Sequence, residues 1–178
     1  METGFVLCES YAHKCAKEVL CGWLRAAAEF AGYDEYAGIS PVSWRVNRDG
    51  PEWGVHMEYP FTQENYDNGY CVVWDEQGAD SSPSFEKLSR LGYQVAAIAD
   101  VAIQHKGSIS AVFEVVWTNP LPFEKVDFYK RIGISDVFEI DATWILAQTA
   151  PPSQLSCITH VFNGQRIWHM PREKPYAA

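Results

Sequence analysis

No run of about 18 uncharged apolar residues occurs in this chain, which excludes a membrane-spanning helix. A basic lead-in is also missing: Glu2 and Glu9 stand where a secretory leader carries positive charge, so a cytoplasmic location is the expectation. Basic side chains are scarce throughout, with 14 Lys and Arg against 23 Asp and Glu and a net charge of −9. The average field of such a chain repels nucleic acid and anionic membrane, so any nucleic-acid contact needs a local exception. There is no repeat, phosphate-cradling glycine loop, nucleophile elbow or dinucleotide fingerprint. The five cysteines are odd in number, and Cys8, Cys15 and Cys21 fall in or beside one helical stretch, which argues for reduced thiols over a disulfide framework. Cys157-x-x-His160 is half of a zinc spacing without a second pair, and reads as a buried thiol beside an ordinary strand histidine.

What is present is a globular composition, 47% hydrophobic, with a heavy aromatic share of 14%. At 178 residues, a single domain spanning 1–178 buries enough core to stand without metal or disulfide staples. Charge is uneven: residues 1–80 carry 14 acidic and 5 basic side chains, whereas 81–178 carry 9 of each. The near-neutral second half is therefore where a DNA contact is expected, and the acidic, aromatic first half suits a protein partner. Trp44, Trp53 and Trp74 lie in that acidic part with few cations nearby, which favours packing or a protein interface over base stacking.

Tyr11, Cys15, Val19, Trp23 and Ala26 or Ala27 recur at helical spacing behind Ser10 as a cap, predicting a long amphipathic helix from about Glu9 to Ala31. The stretch 39–80, punctuated by Pro and Gly, reads as a β-rich insertion of short strands, among them Val42–Val46 and Tyr70–Trp74. Gln94–Gln104 and Ile109–Thr118 form a predicted hairpin. Phe123–Ile132 follows as a helix with Val126, Tyr129 and Ile132 on one side, then a strand at Asp136–Asp141. Cys157–Phe162 and Arg166–Met170 flank Asn163-Gly164 as a second hairpin. The segment 171–178 is expected to be a loose tail.

Two acids stand out in the first hairpin. Asp100 lies in Val95–Ile103 and Glu114 in Ile109–Trp117, each in an otherwise almost apolar strand. A buried carboxylate there needs a counter-charge or a cation, or its pKa must rise. A three-residue loop, Lys106-Gly107-Ser108, pairs His105 with Ile109, makes paired numbers add to 214, and sets Asp100 opposite Glu114. Opposed side chains stand about 5 Å apart on one face, near enough to share a divalent ion. A two-residue loop separates them onto opposite faces unless a bulge intervenes. The same spacing also fits a structural arrangement, with one acid paired to Lys or Arg and the other at a strand end. Oxygen ligands alone point to Mg²⁺ or Mn²⁺ rather than zinc.

These residues resemble the PD-(D/E)XK nuclease superfamily, and within it the CoiA-like competence proteins. Glu9-Ser10-x-x-His13-Lys14-x-x-Lys17-Glu18 is similar to the family's opening helix, Ile98–Val101 to its metal-binding Asp strand and Phe113–Thr118 to its Glu strand. Lys125 and Phe138–Asp141 are similar to the lysine and acidic strand that follow. The resemblance covers roughly Glu9–Ala31 and Gln94–Leu146. It implies a mixed α/β fold with a restriction-endonuclease-like core, a mixed central sheet flanked by helices. It also implies a nuclease that hydrolyses DNA phosphodiester bonds, with Asp100 and Glu114 as metal ligands for Mg²⁺ or Mn²⁺, Glu18 as a third catalytic acid, and His13 and Lys17 toward substrate. The family places Lys two residues after the Glu, where this chain has Val116; Lys125 would take over that catalytic role. Val116 and the acidic first half also fit a second reading, an inactive nuclease-like fold of phage or competence origin that binds or inhibits a protein.

Overall fold

The computed structural model describes residues 10–30, 53–69, 85–105, 108–134, 136–152, 155, 158–162 and 165–169. Helix α1, Tyr11–Phe30, starts where Ser10 Oγ accepts the His13 amide at 3.2 Å, the expected cap. Strand β1, Trp53–Thr62, leads into α2, Gln63–Asn68; then come α3, Phe85–Arg90, and strands β2, Val95–His105, and β3, Ser108–Val116. Helix α4, Phe123–Arg131, connects β3 to β4, Asp136–Asp141, and α5, Ala142–Ala147, precedes β5, Ile158–Phe162, and β6, Gln165–His169.

The six strands form one mixed sheet in sequence order. Neighbours are antiparallel except β3 and β4, which run parallel because α4 carries the chain back across one face. Side chains alternate across the strands, so two cores form. On one side, Ala16, Leu20, Trp23 and Leu24 of α1 and Ile145 of α5 cover Val101, Phe113, Val115 and Ile140. On the other, Val126, Phe128 and Tyr129 of α4 cover Phe61, Ala99, Val112 and Val137. The chain is thus mixed α/β, with helices on both faces of the sheet.

Several elements depart from the expectation. Trp53–Thr62, read only as part of a β-rich stretch, pairs with β2 along its length as an outer strand of the main sheet. Val42–Val46, Tyr70–Trp74 and the tail 171–178 lie outside the described residues. Helix α2 is held by a capping box, in which Thr62 Oγ1 accepts the Asn65 amide at 3.3 Å and Asn65 Oδ1 accepts the Thr62 amide at 2.9 Å. It ends at Gly69, whose φ of 71° suits a residue without Cβ. Thr62→Ala should therefore lower stability by about 1 kcal/mol in urea unfolding.

The β2–β3 connection also differs. His105 pairs with Ser108, leaving only 106–107 between the strands, and a register shift follows between Ile103 and Gln104. That bulge restores the sum of 214 at Ile103–Ala111, Ala102–Val112 and Val101–Phe113. The ladder ends at that last pair, so Asp100 and Glu114 are the residues that follow it on the two strands without pairing themselves. No helix among the described residues is long and apolar enough to cross a membrane.

Candidate functional site

Pairing between β2 and β3 stops at Val101–Phe113, while β3 goes on pairing with β4 through Val116–Asp141. The sheet therefore forks at Asp100 and Glu114. Beyond the fork, the backbone of Val115 meets side chains in place of a strand. Its amide donates to Asp100 Oδ2 at 2.8 Å, and its carbonyl lies 2.8 Å from His13 Nε2. A carbonyl can only accept, so Nε2 carries the proton and donates. The same nitrogen lies 3.5 Å from Asp100 Oδ2.

His13 and Lys17 stand four residues apart on α1 and so share the helix face turned to the fork. Lys17 is buried there, with Nζ 2.8 Å from Glu58 Oε1 and 3.6 Å from Asp100 Oδ1. Glu18 sits one residue further round the helix and is exposed. The expected third acid from α1 is thus not in the cluster; Glu58 of β1 is. The pairs Met57–Val101 and Tyr59–Ala99 set Glu58 level with Asp100.

On the opposite face, Lys125 Nζ donates to Glu114 Oε2 at 2.7 Å, and the buried Tyr129 hydroxyl donates to Oε1. Lys125 reaches Glu114 because the loop before α4 is fixed: the Leu121 amide donates to buried Glu139 Oε1 at 2.6 Å. Asp141 likewise has a structural task, its Oδ1 accepting the Trp144 amide at 2.9 Å to cap α5. Among the described residues, Asp100 is held with His13, Lys17 and Glu58 from the α1 side and Glu114 with Lys125 and Tyr129 from the α4 side, so the two acids meet the fork from opposite sides rather than side by side on one face as the hairpin arithmetic predicts; Glu58 and the Tyr129 hydroxyl are additions to the expected site.

The two carboxylates titrate apart. Burial alone would raise Asp100, but the His13 hydrogen bond, the charges of Lys125 and Lys17 and the Val115 amide outweigh it and hold the group below its ordinary value. Glu114, buried more deeply, is pushed up to about 7 by desolvation against the pull of Lys125, with Asp100 adding repulsion. The hydrogen bond to Asp100 raises His13 despite its partial burial. Burial and the neighbouring Glu114 carry Tyr129 well above its ordinary value. One firmly ionised acid beside one poised near neutrality is a common signature of a reactive site.

Neither a family model, a curated protein nor a solved structure matches the chain. The site's chemistry therefore rests on its own donors. Asp100 and Glu114 offer the hard oxygens that Mg²⁺ or Mn²⁺ prefers, while the Val115 carbonyl is taken by His13 Nε2. Among the described residues, no group of three His, Cys, Asp or Glu side chains converges to hold a metal ion. A Mg²⁺-type ion commonly takes one or two carboxylates and completes its shell with water and substrate phosphate.

Beside Lys125 an open groove of about 620 Å³ runs between α4 and the start of β2, lined by Gln63, Tyr66, Gln94, Ile98, Lys125 and Phe128. Three aromatic rings near the site in sequence face solvent: Tyr11 at 84%, Phe123 at 71% and Trp117 at 44% exposure. Cys15 and Cys21 are free thiols, the latter raised in pKa by burial, and play no part in the cluster.

Proposed function

We propose that this chain is a nuclease of the PD-(D/E)XK type, hydrolysing DNA phosphodiester bonds with Mg²⁺ or Mn²⁺. The observation that carries the reading is the contact between Lys125 and Glu114 at the fork, 2.7 Å, which supplies the lysine that Val116 does not. The order of helix, three antiparallel strands, crossover helix and parallel strand supports a restriction-endonuclease-like core around it. Asp100 and Glu114 would hold the ion, which when bound lowers the pKa of a water and offsets charge on the scissile phosphate. Lys125 orients that water and stabilises the charge that develops in the transition state. His13 keeps the Val115 carbonyl and Asp100 in place.

The substrate reading follows from the charge balance. With a net charge of −9, phosphate attraction is weak, while exposed Trp117, Phe123 and Tyr11 offer stacking faces that serve unpaired bases. Single-stranded or frayed DNA is the better substrate on that ground. Cleavage of single-stranded DNA with Mn²⁺, absent in EDTA and lost in Asp100→Ala and Glu114→Ala variants that retain their circular dichroism, is the expected result. Cleavage surviving both substitutions would overturn the assignment.

One observation favours a second reading. All four oxygens of Asp100 and Glu114 already face a protein donor or cation, so the cluster is charge-compensated without metal. An inactive nuclease-like fold that binds another protein would show no cleavage and no thermal shift with Mn²⁺.

A further inference from the structure

We propose that Lys17 is a built-in cation of this site: its ammonium, held between Glu58 and Asp100, supplies there the positive charge that a second metal ion would otherwise provide, and Glu58 serves to hold it. The inference concerns the α1 side of the cluster and does not depend on cleavage.

Two independent observations meet at Glu58. The first is chemical: the Lys17 ammonium lies against oxygens of two carboxylates from adjacent strands, 2.8 Å from Glu58 and 3.6 Å from Asp100. An ammonium in contact with two acids on neighbouring β-strands occupies the position in which those acids would otherwise clasp a divalent ion or repel each other. Lys17 is buried, so its charge is poorly screened by water.

The second is conformational. Glu58 has φ 54°, the sole positive value at a non-glycine residue among those described, and it lies inside a strand. Val55 and Met57 pack toward the α1 core, whereas Tyr59 and Phe61 belong to the α4 core. Strand β1 thus turns over at Glu58, and β2 does the same at Asp100, with Val101 and Ile103 on one side and Ala97 and Ala99 on the other. An unfavourable backbone at the point where a side chain meets a buried ammonium marks a conformation retained for what that side chain does. Glu58 is accordingly a positioning residue for Lys17, and Lys17 for Asp100.

The test uses the metal alone. Lys17→Met leaves Glu58 and Asp100 facing each other without their cation, so the full-length variant should bind Mn²⁺ about tenfold or more tightly than the wild type, read by thermal shift and calorimetry. Lys17→Arg should show no such gain, and Lys17→Met with Glu58→Gln should return to the wild-type response. Should Lys17→Met be unfolded in EDTA, Mn²⁺ should restore its helical circular dichroism. Equal Mn²⁺ response in wild type and Lys17→Met, or an unfolded variant that Mn²⁺ does not rescue, would overturn the proposal. A gain in Lys17→Met with no response in the wild type would instead count against Asp100 and Glu114 as resident metal ligands, while leaving the built-in cation intact.

Discussion

Lys125→Met should lower cleavage by about 10²–10³-fold, the scale seen when a single charge-stabilising donor is removed from an active site. The same variant should lose about 2–3 kcal/mol of stability at pH 8, because Glu114 is left in the core without its counter-charge. The loss should shrink toward pH 6, where Glu114 takes up a proton and no longer needs a cation. Lys125→Arg should recover most of the stability, since its charge still reaches Glu114 Oε2. It should recover less of the turnover, because a planar guanidinium cannot present a compact ammonium to a water. Urea unfolding at both pH values, alongside a single-stranded DNA cleavage assay, separates the two effects. Undiminished cleavage in Lys125→Met removes this lysine from the chemistry.

Glu114 itself gives the second large effect. Its folded pKa of about 7 lies above the ordinary 4.5, so between these values the folded chain binds the extra proton. The stabilising contribution of that proton is complete below pH 4.5 and is lost as pH rises through 7, a change of about 3 kcal/mol. Asp100 works in the opposite sense: lowered from its ordinary value, it stabilises the fold above that value, and its contribution disappears as pH falls through the folded pKa. Stability should peak on the acidic side of neutrality. Glu114→Gln keeps an oxygen for Tyr129 and frees Lys125, which is partly exposed, to hydrate. This variant should show no decline from this residue between pH 5 and 8 and should exceed the wild type at pH 8. Parallel pH profiles for the two proteins would show that Glu114 is ionised throughout.

Much of the sheet was legible because its signals were strong and local. The apolar runs of β2 and β3, the glycine after α4 and the compact Asp136–Asp141 segment each fixed an element to within a residue or two. Register arithmetic gives the sum of 214 that the ladder keeps from Ile103 to Val101, by the bulge rather than the three-residue loop, because the two shift the pairing equally; the ladder stops before Asp100 and Glu114, and the arithmetic does not anticipate that the two acids turn to opposite sides. Strand β1 escaped because its inward face changes at Glu58, which destroys the alternation by which a strand is read. Glu58 was hidden for the same reason: its approach to Lys17 depends on a backbone conformation that no sequence pattern announces. The family resemblance points to Glu18 by position alone, yet helix phase separates it from the face shared by His13 and Lys17. Helical spacing places Tyr129 on an apolar face, where its ring does pack while its hydroxyl serves Glu114.

The same kink shapes how β1 meets its surroundings. Among the described strands β1 is one of the two outermost, and an outermost strand with a regular ladder is a template on which another chain can add itself. Pro60 has no amide hydrogen to offer, and two residues earlier the left-handed turn at Glu58 swings the backbone out of line. A continuous intermolecular ladder along Trp53–Thr62 is thereby interrupted, so the geometry that holds Lys17 also guards this margin of the sheet against aggregation.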